Sequence, residues 1–68
     1  MADFEIRNRQ GRDVVVVLPL TPRAFSWARE AIAQDTPRHG LGYMLDNVSA
    51  FDTISSAMRE GYSVQDAS

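Results

Sequence analysis

Phe4-Glu5-Ile6-Arg7 alternates apolar and charged residues, the two-residue period of a strand with one buried face. The polar stretch from Asn8 to Arg12 interrupts it, and Gly11 can take the positive φ of a tight hairpin turn. Asp13 then opens Val14-Val15-Val16-Val17-Leu18, a β-branched block with the strongest strand preference in the chain. Pro19 offers no ladder donor and ends that strand. These features predict a β-hairpin over residues 3–18. At Thr21-Pro22 the period changes: a hydroxyl stands at an N-cap position, and proline follows where its missing N–H costs nothing. Ala24, Phe25, Trp27, Ala28, Ala31 and Ile32 then recur on one helical face, predicting a helix from Pro22 to about Gln34. Asp35-Thr36-Pro37 stops it, because a residue before proline avoids the α region.

Arg38-His39-Gly40 reads as a connector, and residues 42–46 as a third short strand, too brief and too glycine-rich for a helix. Ser49 and Asp52 have the spacing of a capping box at the start of a second helix. Ala50, Phe51, Ile54, Ala57 and Met58 share one face of that helix and are expected to be its core side. Gly61 stands at the left-handed C′ position, and Tyr62-Ser63-Val64 is placed to add a short final strand. The expected order is ββαβα with a possible last β. A helix between the second and third strands implies a right-handed parallel crossover between them. The fold class is therefore α+β, a two-layer domain with a small mixed sheet and both helices on one face. It occupies residues 1–64, with a loose polar tail at 65–68.

The pattern Leu20-Thr21-Pro22 with Ala24, Trp27 and Ala28, a glycine-rich strand, Ile54 with Met58, and Gly61-Tyr62-Ser63-Val64 resembles short uncharacterised proteins of GC-rich bacteria and their mobile elements. The resemblance spans residues 17–64. It implies a small αβ module and carries over no catalytic residue.

The valine block bears on function. An unbroken apolar run belongs to a strand covered on both faces. Val14, Val16 and Leu18 point one way, Val15 and Val17 the other. With two helices on one face, Val15 and Val17 are expected to face a second copy of the chain or another protein. The first strand, the termini or a helix on each face are the cover available within one chain. Size sharpens the point. At 68 residues without cysteine, no disulfide or thiolate cluster staples the fold, and a partner subunit is the remaining support. The expected partner is therefore the chain itself, as a homodimer, or a different protein.

All seven basic residues are arginine, and the formal net charge is −2. Residues 1–38 hold six arginines against five acids, residues 39–68 one against four. Arg7, Arg9 and Arg12 crowd the first hairpin and are the candidate nucleic-acid contacts, making a nucleic-acid-binding regulator the alternative. Asp3, Glu5 and Asp13 beside them cancel much of the field, and codon bias in a GC-rich genome accounts for the arginine usage. A helix-turn-helix is a poor fit, since the second helix would read bases with Asp52 and Glu60 among its exposed residues.

His39, the single histidine, has no ligand set at metal-binding spacing, and Gly40-Leu41-Gly42 lacks the remainder of a phosphate-binding loop. Trp27, Phe25 and Phe51 stand at core spacing rather than around a ligand. No nucleophile, base and orienter assemble, so the expectation is a non-catalytic module without cofactor, metal or small-molecule ligand. No signal-peptide pattern opens the chain, and its longest apolar run is far short of a bilayer span. The expected setting is the cytoplasm of a bacterium, or of a bacterium carrying a phage or plasmid, with an accessory or inhibitory role.

Overall fold

The computed structural model describes residues 1–8 and 13–66. It is a two-layer α+β domain built from β1 (Phe4–Asn8), β2 (Val14–Pro19), α1 (Pro22–Ala31), β3 (Arg38–His39), β4 (Gly42–Asp46), α2 (Asn47–Arg59) and β5 (Val64–Asp66). The five strands form one mixed sheet in the order β3-β4-β2-β1-β5. Strands β1 and β2 pair antiparallel with Phe4 opposite Pro19 and Asn8 opposite Val15, as the hairpin pattern predicts. The tip of that hairpin, with Gly11, lies outside the described residues.

Two connections differ from expectation. Strand β4 runs antiparallel to β2, with Val15 opposite Leu45 and Val17 opposite Tyr43, so no parallel crossover joins them. The cause is β3, two residues that the pattern reads as connector. After α1 the chain enters β3 and reverses through Gly40, whose φ of +62° suits glycine in a tight turn. It then returns as β4 between β3 and β2, pairing Arg38 with Tyr43 and His39 with Gly42. The second difference is at the C-terminus. Val64 and Gln65 pair in parallel with Phe4 and Glu5, and Asp66 with Ile6, so β5 takes in part of the expected tail.

The helix starts follow from their caps. Thr21 is the N-cap of α1 with Pro22 at the first helical position, and its Oγ1 accepts from the Ala24 amide at 3.3 Å. Helix α1 ends at Ala31, three residues short of Gln34, with the Ile32 amide still donating to the Ala28 carbonyl at 2.9 Å. Helix α2 begins earlier than the Ser49–Asp52 box predicts. Asp46, the last residue of β4, is its N-cap and accepts from the Ser49 amide at 2.7 Å. An aspartate at the strand end caps as well as a serine does, and it lets strand pass into helix without a loop. That hydrogen bonding lowers the pKa of Asp46. At the other end Gly61 has φ +93°, and the Tyr62 amide returns to the Ala57 carbonyl at 3.0 Å.

Both helices pack on the same sheet face. The buried core comprises Phe4, Val15, Val17 and Tyr43 from the strands, with Ala24, Ala28, Ile32, Ala50 and Ala57 from the helical layer. Ile6, Trp27, Leu45, Ile54, Tyr62 and Val64 pack around it. Val15 and Val17, expected at an interface, thus lie under the helices of their own chain, because they share a sheet face with Phe4 and Ile6.

One end of the domain is closed by Asp3. Its carboxylate accepts from Thr21 Oγ1 at 2.8 Å, from Arg23 Nε and Nη2 at 3.2 and 2.8 Å, and from the Ser63 amide at 3.1 Å. Its own amide donates to the Ser63 carbonyl at 2.9 Å, and its carbonyl accepts from Leu20 at 2.7 Å. Three segments remote in sequence meet at this one buried residue. Beside it, Phe4, Trp27 and Tyr62 form an aromatic cluster with centroids 5.7 to 5.8 Å apart, and Arg23 lies 4.5 Å over the Tyr62 ring.

The Arg23 guanidinium, followed by the Ser63 amide and the Thr21 hydroxyl, holds the Asp3 carboxyl well below the usual carboxylate range. A carboxylate whose folded pKa is depressed stabilises the fold fully above its ordinary value of 3.8, and that contribution fades as pH falls further. Asp3→Asn is therefore expected to lower the thermal midpoint at neutral pH several times more than Glu5→Gln. It is also expected to flatten the loss of stability below about pH 4. Melts followed by circular dichroism across pH check both; an unchanged acid limb would contradict this role.

Candidate interaction surfaces

Among the described residues, two groups of neighbouring apolar side chains lie outside the helix–sheet core. The first is the sheet face turned away from the helices, the side of Val14, Val16 and Leu18. Val16 stands between Arg7 on β1 and Met44 on β4 as its cross-strand partners and is only 5% exposed. A Cβ on Gly42 would meet Val16 Cγ1 at 2.6 Å, so glycine makes the room that this valine occupies. Val14, Leu18 and Met44 are half-buried. Around them Glu5 accepts from Arg7 Nε at 2.7 Å and from Gln65 Nε2 at 3.0 Å, and these bonds, the arginine's first, lower its pKa. Neighbouring side chains therefore bury the centre of this face, Val16, and half-bury the residues around it. The apolar surplus of the valine block is absorbed inside the chain, by helices on one side and by lateral packing on the other.

The second surface is on α2. Small residues, Ala50 and Ala57, hold the helix close to the sheet. That sets its rotation so that Phe51 and Met58, expected in the core, point outward. Val48 is 71% exposed, Phe51 73% and Met58 59%. With Ser55 between them they follow a three-four-three spacing, a single stripe along the outer flank. Beside the stripe an apolar groove of about 180 Å³ is lined by Ile6, Val15, Asn47, Ala50, Phe51 and Ile54. Stripe and groove are contiguous through Phe51.

Of the three arginines expected as nucleic-acid contacts, the structure describes one. Arg7 lies on the sheet face turned away from the helices, paired with Glu5; Arg9 and Arg12 fall outside the described residues. Arg23 is held by Asp3. Arg38 donates to the Gly42 and Leu41 carbonyls at 3.2 Å each and stacks 4.1 Å over Tyr43. Its guanidinium thus serves the β3–β4 turn rather than a phosphate.

His39 sits on β3 opposite Gly42, while Asp46 stands at the far end of β4 as a helix cap. Among the described residues no three His, Cys, Asp or Glu side chains converge as metal ligands. Two depressions of about 290 and 360 Å³ are open and polar, lined through Arg29, Glu30, Gln34 and Arg38 on and after α1. Among the described residues no helix is long and apolar enough to cross a membrane. Comparison with protein-family models, curated proteins and solved structures finds no match for this chain.

The two valines and the α2 stripe respond to substitution in opposite ways. Val15→Lys and Val17→Lys place a charge among buried side chains and are expected to unfold a domain whose whole stability is on the order of 5 kcal/mol. Phe51→Ser is expected to change stability by no more than about 0.5 kcal/mol, as exposed positions do. Urea denaturation measures both; a core-sized loss at Phe51 would show that α2 packs in a different rotation.

Proposed function

We propose that this chain is a small non-catalytic protein-interaction module that presents the outer flank of α2 to its partner. The observation that carries the reading is the line of Val48, Phe51 and Met58, each more than half exposed, beside an apolar groove. Contiguous exposed apolar surface is disfavoured on a free monomer, and Phe and Met are residues enriched where protein surfaces meet. Phe51 is the natural anchor, since it is the largest of the three and joins stripe to groove. The setting in this reading is the cytoplasm, and the size suits an accessory or inhibitory protein of a bacterium or phage. The engagement of Arg7, Arg23 and Arg38 within the fold speaks against the nucleic-acid alternative.

The test compares the immobilised chain with its Phe51→Glu variant in bacterial lysate. Proteins retained by the first are expected to be lost with the second; identical capture by both would overturn the reading. On heparin the chain is expected to pass through at low salt. Retention that falls steeply with salt and disappears in an Arg9→Ala, Arg12→Ala double variant would assign the function to nucleic acid instead.

A further inference from the structure

We infer that the α2 flank pairs with the same flank of a second copy, the two α2 helices running antiparallel about a two-fold axis; this rests on the proposed interaction role of that flank. Val48, Phe51, Ser55 and Met58 occupy the a and d positions of a heptad, the spacing with which two helices interlock side chains. When the helices are antiparallel with Val48 opposite the copy's Met58, Phe51 falls opposite the copy's Ser55, and the reverse holds across the axis. The largest side chain of the stripe then fills the space left by the smallest. A parallel pairing sets Phe51 against Phe51 and Ser55 against Ser55, a crowded layer beside a hollow one.

The charges select the same arrangement. Asp52 and Arg59 both follow a d position and lie on one side of the stripe, seven residues apart. Side chains on a helix lean toward its N-terminus. In the antiparallel pair Asp52 of one copy and Arg59 of the other therefore lean toward each other, twice by symmetry. Arg59 can turn to it at little cost, since its hydrogen bond to Ser56 Oγ is a long one of 3.5 Å. In a parallel pair each would instead face Asn47 or Ile54 on the other side of the seam. Helix α2 is already ordered by its own sheet, so pairing adds little ordering cost. A stripe of four residues is smaller than a standard interface, so the dimer belongs with weak, reversible ones.

Sedimentation equilibrium over a wide concentration range, with charge-reversal variants, tests the inference. The wild-type mass is expected to rise from 7.6 kDa toward twice that value as concentration increases. Phe51→Glu is expected to raise the dissociation constant roughly tenfold or more. Asp52→Arg and Arg59→Asp are each expected to weaken association, and the double variant carrying both to restore it. All three positions are exposed, so circular dichroism melts at concentrations where the chain is monomeric should keep a cooperative transition, shifted only slightly by the charge changes along α2.

A chain that remains monomeric throughout would overturn self-pairing; if Phe51→Glu still abolished capture of other proteins, the interaction role of the flank would stand. A dimer insensitive to Phe51→Glu would refute the self-pairing inference and place the contact elsewhere. A dimer sensitive at Phe51 but not restored by the double reversal would overturn the antiparallel alignment.

Discussion

Asp3 places one buried carboxylate where the start of β1, the cap of α1 and the link from α2 to β5 come together. It accepts from a hydroxyl, a guanidinium and a backbone amide, so its charge is balanced and its oxygens are satisfied. In a domain this small, with no disulfide, such a pin does what a larger core does elsewhere. It orients Arg23 over Tyr62, which packs with Phe4 and Trp27, and Trp27 in turn donates to Glu60 at 2.9 Å. The C-terminal end of α2 is thereby held. Its N-terminal end is held by Asp46, which ties the helix to the last residue of β4. A helix fixed at both ends has its rotation fixed, and rotation decides what it buries.

The surface of the molecule follows from that rotation. Ala50 and Ala57 face the sheet because only small side chains allow α2 to approach β2 and β4 so closely. Phe51 lies about 100° from Ala50 around the helix and has no place in that narrow layer. Val48, Phe51 and Met58 thus line up on one exposed flank, while the other exposed large apolar residues, Met1, Leu20 and Leu41, stand apart from it. The valine block, by contrast, is largely accommodated: Val15, Val16 and Val17 are buried in a strand with neighbours on both edges, and Val14 and Leu18 are half-buried.

Much of the architecture was legible in the pattern of residues. The hairpin, the β4 span at 42–46, the Thr21-Pro22 helix start and the Gly61 terminus all rest on local physics, and each appears where the residues place it. What depends on contacts far apart in sequence was not legible. Asp3 reads locally as an acid beside a cluster of arginines; its partners are 18, 20 and 60 residues away. Strand β3, at two residues, is too short to show a period, and missing it reversed the expected direction of β4. Alternation separates Val15 and Val17 from Val14, Val16 and Leu18, but not which set meets the helices. That depends on hairpin register, where a slip of one residue exchanges the faces. The charged Glu5 and Arg7 against apolar Phe4 and Ile6 carried the missing information once paired.

Whether the rotation of α2 concentrates the proposed binding surface on its outer flank is measured by amide NMR spectra recorded on dilution from millimolar to low micromolar protein. Concentration-dependent shifts are expected only at Val48, Phe51, Ser55, Met58 and their neighbours on α2. Shifts centred on Val14, Leu18 and Met44 would contradict that placement, and spectra that do not change at all would contradict the pairing of that flank with a second copy.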